Sequence, residues 1–223
     1  MIWFSENPAW TITKEGRKIP RMRIVSTDDM MPLEKPSVVC LGYFDGVHLG
    51  HMALLNAARE ISKNSGMLMC VHTFDRSPAQ EIHPEKAFPL LTPIPEKEAL
   101  LEAAGSDVLA ISRFDERMRR MPGRVFFEEV LLDTLNAEVL VTGEDHRFGF
   151  MGDTDVNVLG GLCESSGIRL CVIPKVRLKD GSVISSTAIR AALKAGNIAL
   201  ASEMLGRNPD QEMISRCVMR QER

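Results

Sequence analysis

The chain has 223 residues, 44% of them hydrophobic, with 27 basic and 30 acidic side chains for a formal net charge of −3. That length buries a substantial core in one domain, and with no basic run or aromatic–basic interleave nothing favours a nucleic-acid surface. No apolar segment nears the roughly 20 residues of a membrane helix, and Met1-Ile2-Trp3-Phe4 lacks the basic end of a secretion signal, so the expected location is the cytoplasm.

Residues 1–21 show weak periodicity and read as an extension outside the main sheet. From there apolar runs alternate with helical patterns. Strands are expected at 37–42, 67–74, 107–111, 138–142 and 169–173, and helices at 49–64, 95–104, 122–135, 155–166, 186–195 and 197–205. Continuous apolar runs such as Glu138-Val-Leu-Val-Thr142 suit strands covered on both faces. The alternation predicts a doubly wound α/β domain with a parallel sheet over residues 22–207, whose ligands bind at the carboxyl ends of the strands. Residues 208–223 are polar and charged and read as a C-terminal tail.

The strongest functional signal follows the first buried strand, where residues 42–51 read Gly-Tyr-Phe-Asp-Gly-Val-His-Leu-Gly-His. A strand that breaks at Gly42, passes the Asp45-Gly46 turn and enters a helix suits an anion. Glycine lets the backbone approach closely, and the free N–H groups of a helix start point at the ligand. His48 and His51, three residues apart, project from one helical face, and Gly50 keeps that face open. Asp45 has a plainer reading, as the residue that shapes the turn.

The second signal is Ile184-Ser-Ser-Thr-Ala-Ile-Arg190 after the Asp180-Gly181 turn. Ser185 or Ser186 is a good helix N-cap and could be no more than that. Beside the first motif, Ser185, Ser186, Thr187 and Arg190 read as a second anion site holding another part of a polyphosphate. Asp75 and the Glu144-Asp145 pair fall just after expected strands, where a hard cation could use their oxygens, and Asp145 is favoured. The five cysteines are scattered without a Cys-x-x-Cys pair. Zinc bound by Cys40, His48, His51 and His72 is therefore a weaker account than core packing in a reducing compartment. His72 and His83 read as structural or surface residues.

These segments, in order, resemble the nucleotidyltransferases with a His-x-Gly-His signature, and among them the FMN adenylyltransferase domain of the FAD synthetase family. The supporting set is Gly42 to His51, Thr73-Phe74-Asp75 with Pro78, Leu91-Thr92 with Lys97, Phe127 with Val130, Gly143 to Gly149, Ile184 to Arg190, and Leu205-Gly206. An ordered set spanning about residues 22–207 is far more specific than any member alone. The resemblance implies a Rossmann-like sheet and the reaction of FMN with MgATP to give FAD and pyrophosphate, by in-line attack without a covalent enzyme intermediate. It implies catalytic roles for His48, His51 and Arg190. ATP contacts would come from Gly42, Phe44, Asp45, Gly46, His48, Gly50, His51, Ser185, Ser186, Thr187 and Arg190. Flavin contacts would come from Phe74, Asp75, Pro78, Asp145 and Phe148, with Asp145 also near magnesium.

Tyr43, Arg76-Ser77 and His146 depart from the family pattern and cluster on the acceptor side, and Arg117, Arg119 and Arg120 add charge to a usually apolar stretch. Adenylyl or cytidylyl transfer to another phosphorylated acceptor is the nearest rival. A flavin or nucleotide sensor without turnover is a different class, and the retained His48, His51 and Arg190 argue against it. A nicotinamide dehydrogenase is weakest, because no Gly-x-Gly-x-x-Gly follows a strand. Bacterial members usually continue into a riboflavin kinase barrel; the sequence ends at Arg223, so riboflavin phosphorylation is not expected.

Overall fold

A computed structural model of the chain describes residues 10–12, 18–86 and 88–218. The rest of residues 1–21, Ala87 and residues 219–223 lie outside the described residues.

Strand β4 (Ser37–Leu41) is buried along its whole length. Val39 and Leu41 enter one hydrophobic core, and Val38 and Cys40 enter the other, on the opposite face. This is the period-2 geometry of a strand covered on both sides, and it explains the uninterrupted apolar run. β3 (Arg23–Ser26), β4, β5 (Leu68–Phe74), β6 (Val108–Ser112), β7 (Ala137–Gly143) and β8 (Arg169–Ile173) form one six-stranded sheet in the order β3-β6-β5-β4-β7-β8. Every pairing in it is parallel. β1 (Trp10–Ile12) and β2 (Lys18–Pro20) pair antiparallel in a separate two-stranded sheet.

Helices α1 (Leu49–Ser65) and α3 (Ile94–Ala103) contribute Leu55, Ala58 and Leu101 to one core. The other face is covered by α6 (Val156–Ser166) and by a short helix, α5 (Gly123–Val125), that continues into a π-helical stretch at Phe126–Thr134. Two short helices, α2 (Pro78–Ile82) and α4 (Glu116–Arg120), lie in the connections on either side of β6. A third core is built from α7 (Ser186–Lys194), α8 (Ile198–Leu205), α9 (Gln211–Val218) and Leu91.

The five strands and six helices expected from the sequence are present, each within one residue of its expected limits. The doubly wound α/β class is thus observed. β3 was not expected: it is a four-residue edge strand with only partial burial, and its pattern is too short to show a period. From β4 the chain builds outward through β5 and β6, then crosses to β7 and β8 on the other side. The carboxyl end of β4 therefore sits at the topological switch point, where open α/β sheets bind ligands. Among the described residues no helix is long and apolar enough to cross a membrane.

Candidate active site

The loop from Gly42 to His48 leaves the sheet at this switch point in an unusual conformation. Phe44 and Val47 have φ of 54° and 38°, and Gly46 has φ of 88°. Non-glycine residues at positive φ cost about 1–3 kcal/mol each and persist only where neighbours over-determine them. The neighbours here are specific. Phe44 is fully buried and its ring lies under Gly42, where an added Cβ would meet it at 3.0 Å. At Gly46 a Cβ would meet Leu91 Cδ1 at 2.8 Å, so both the dihedral and the contact demand glycine.

Asp45 is turned inward, with 3% exposure. One carboxylate oxygen accepts from Leu91 N at 2.9 Å and Thr92 N at 3.0 Å, and the other pairs with Arg190 Nη2. Thr92 Oγ1 in turn accepts from Gly46 N at 2.9 Å. The carboxylate thus locks the loop, the 91–92 segment and α7 together. Ser186 adds a bond from its Oγ to the Asp45 carbonyl at 2.7 Å.

His48 is the N-cap of α1. Its Nδ1 accepts from the backbone N–H of His51 at 3.3 Å, a bond that only the neutral ring with its proton on Nε2 can make. Burial, reinforced by the Arg207 charge, lowers its pKa to about 4, which agrees with that tautomer. The His51 ring stacks on it at 3.7 Å between centroids and 14° between planes. Burial, then His48 and Lys97, holds His51 well below its ordinary value, so both imidazoles are neutral near pH 7. His51 Nδ1 is buried without a hydrogen-bond partner.

Arg190, on the first turns of α7, spends its guanidinium within the protein: besides Asp45 it donates from Nε to Pro89 O at 2.8 Å and stacks over the Phe88 ring at 4.0 Å. Ser185 caps α7, its Oγ accepting from Ala188 N at 3.2 Å, while Thr187 is exposed at the helix start. The two motifs, some 140 residues apart in sequence, therefore meet: the start of α7 lies against the loop that starts α1.

A second group of expected residues gathers at the ends of β5, β6 and β7. The Phe74 ring meets Phe114 edge-on at 5.2 Å, and Phe126 lies 5.3 Å from Phe148 and 5.2 Å from His72. His146 flanks Phe148 at 5.8 Å. Asp75 Oδ1 accepts from Phe114 N at 2.9 Å and ties β5 to β6, and Pro78 opens α2. His72, on the polar edge of the cluster, bonds Ser112 Oγ at 2.8 Å; burial pushes its pKa to about 3. Asp145 is exposed and pairs with Lys175 Nζ at 3.1 Å. No group of three or more His, Cys, Asp or Glu side chains that could hold a metal occurs among the described residues.

Sequence reasoning did not single out Lys97 as a site residue. The side chain is 2% exposed, donates to Tyr43 O at 2.7 Å and lies 3.9 Å over the Tyr43 ring. Burial lowers its pKa to about 8, against the pull of Asp45. Its position opposite Tyr43 depends on how α3 lies on the loop, which periodicity does not reveal. Arg207 escaped for the same reason: it bonds the carbonyls of Gly46 and Val47 from beyond the end of α8.

A six-stranded parallel sheet with a glycine loop and two helix starts converging at its switch point defines a nucleotidyltransferase-type α/β domain. Residues 30–188 match the family model described as FAD synthetase, and the chain belongs to that family. A bifunctional riboflavin kinase/FMN adenylyltransferase of Bacillus subtilis is 31% identical over 171 residues, 76% of this chain and 53% of the relative. The protein of the same description from Pseudomonas fluorescens is 33% identical over 181 residues, covering 80% and 57%. This chain thus spans just over half the length of these curated relatives. A crystal structure described as a macrolide-efflux protein from Streptococcus pneumoniae superposes with a TM-score of 0.73 at 28% identity, over 83% of this chain and 60% of that one.

Proposed function

We propose that this protein transfers the adenylyl group of MgATP to FMN, giving FAD and pyrophosphate. The observation that carries the reading is the closure of the α7 start on the Gly42–His48 loop through Ser186 and Arg190. It sets two helix N-termini and two neutral imidazoles at one sheet end, with an aromatic cluster at the neighbouring strand ends. Family membership supplies the acceptor, since the relatives described above carry FMN adenylyltransferase in their names.

In this reading the N–H groups at the start of α1 and the Nε2–H of His48 receive the ATP phosphates. An FMN phosphate oxygen attacks the α-phosphorus in line, the new P–O bond forms, and the bond to the β-phosphate breaks. Charge moves onto the departing pyrophosphate, so positioning and fixed donors supply most of the catalysis. His48 and His51 stay neutral and donate without an added positive charge. Arg190 orders the loop through Asp45 in the absence of ligand, and with Ser185, Ser186 and Thr187 borders the pyrophosphate end. Gly42, Phe44, Gly46 and Gly50 shape the ATP side; Phe74, Asp75, Pro78, Asp145 and Phe148 shape the flavin side. Magnesium neutralises the polyphosphate it arrives with. It would need few protein ligands for that; Asp145, the favoured carboxylate, is exposed and paired with Lys175. The catalytic unit is assigned to residues 22–207, with residues 1–21 an extension and α9, in the segment 208–223, docked onto α7.

The test is to incubate the protein with MgATP and FMN, separate the products and quantify FAD and pyrophosphate. Stoichiometric formation of both is expected. FMN binding without pyrophosphate release would instead indicate a sensor. A second reading, a different phosphorylated acceptor, draws on Arg76, half-exposed and held by Asp75 and Glu81 where the acceptor side opens. Pyrophosphate release with pantetheine, nicotinamide or alcohol phosphates but not with FMN would select it.

A further inference from the structure

We propose that Arg207 is a positioning residue for adenylyl transfer: its guanidinium fixes the strained turn before α1 and so aims the His48 ring and the α1 N-terminus at the substrate phosphates. This rests on the transferase reading above. Arg207 lies outside residues 30–188 matched by the family model, and beyond the Ser185–Arg190 motif.

The geometry is that of a two-pronged clamp. Arg207 Nη2 donates to Gly46 O at 2.8 Å and Nη1 to Val47 O at 3.1 Å. A planar fork suits two consecutive carbonyls in a way an ammonium does not. These residues hold φ of 88° and 38°, so the clamp sits on the strained part of the loop. A peptide unit is planar and trans, with its C=O and N–H on opposite sides. Holding the Val47 carbonyl toward Arg207 therefore turns the His48 N–H the other way. It also keeps two carbonyl dipoles from facing an incoming polyphosphate. Because His48 Nδ1 occupies the His51 N–H, the N–H groups of His48, Leu49 and Gly50 remain as the donors of the helix start; none has a protein acceptor among the described residues. The same junction is close-packed: at Gly206 an added Cβ would meet Leu49 Cδ2 at 2.5 Å, so the end of α8 lies against the side chain of the first residue of α1.

The test compares Arg207→Met, Arg207→Lys and the unaltered protein, in FAD formation and in the ring titration of His48 followed by NMR. Misplacing reacting groups by about 1 Å costs about 10²-fold in rate. Arg207→Met is therefore expected to lower kcat by roughly 10- to 100-fold with a small change in the KM for ATP. Arg207→Lys, holding one carbonyl rather than two, should fall between. The charged and titrating groups acting on His48 are Arg207 beyond α8, Arg190 on α7 and the stacked His51 ring of α1; Lys97 on α3 acts on His51, and Asp45 is paired with Arg190. Removing Arg207 alone should raise the His48 titration midpoint, whether or not FAD forms. An unchanged kcat in folded Arg207→Met overturns the proposal, as does a raised KM at constant kcat, which would mark simple ground-state binding. If Arg207→Met does not fold, Arg207→Lys decides by the same criteria. A raised His48 midpoint in a protein that makes no FAD from MgATP and FMN would overturn the transferase reading and leave the clamp standing.

Discussion

Gly50 lies in the first turn of α1 with no positive φ to require glycine. Alanine there should gain up to about 1 kcal/mol in helix propensity. An added Cβ, however, would meet His48 Cε1 and Nδ1, each at 3.0 Å, and the ring is already pinned by its stack on His51. Gly50→Ala is therefore expected to leave the thermal midpoint unchanged or raised while lowering kcat by about tenfold or more. A fully active, stabilised variant would show that the His48 ring position is unimportant to turnover. The same residue shows how far the site could be read from sequence. Spacing alone paired His48 with His51 and left the gap at Gly50 open. That His48 is the N-cap, with Nδ1 committed to a backbone N–H, depends on the ψ of 175° it adopts at the loop's end. Asp45 was legible as a turn residue, but its pairing with Arg190 crosses 145 positions, a separation that no local pattern encodes.

Among the elements, α9 best separates what periodicity reveals from what packing adds. Its sequence, Gln211–Val218, is half polar, with apolar residues at Met213, Ile214, Cys217 and Val218. Met213 and Cys217, four apart, bury against the third core beside Ile189 and Leu193 of α7. From the same helix Arg216 Nη2 donates to Leu91 O at 2.8 Å. Leu91 is the residue whose N–H holds Asp45, so α9 braces the loop at one remove. Met213→Ala should cost about 2–5 kcal/mol in unfolding free energy, measured by urea denaturation, and should lower activity only as far as the folded fraction falls. A loss below about 0.5 kcal/mol would mean that α9 rests on the surface without bracing anything. The sheet strands were readable because burial on both faces forces apolar residues at nearly every position. Short amphipathic helices such as α9 and half-buried edges such as β3 offer only two to four apolar positions each, too few to define a period.

At the scale of the whole molecule, the carboxyl end of the sheet gathers histidines that the fold keeps neutral. Burial lowers His48 to about 4, and burial, then His146, lowers His72 to about 3, with His51 also well below its ordinary value. In the unfolded chain each titrates near 6.5. Below that pH the unfolded state takes up protons that the native state refuses, so unfolding free energy falls as pH falls from about 6.5 toward 4; above 6.5 these groups contribute no slope. Between pH 6.5 and 5 the loss is about 2 kcal/mol for each of His48 and His72. Glu96 and Glu98, whose carboxyls burial raises, pull the opposite way, but both are half-exposed and water screens them. Urea midpoints should therefore drop on moving from pH 7 to pH 5, and His72→Gln, which can still bond Ser112, should shrink that drop by about 2 kcal/mol. Equal midpoints at the two pH values would mean that the rings are hydrated enough to protonate in place. Neutral imidazoles at the switch point would then no longer follow from the fold.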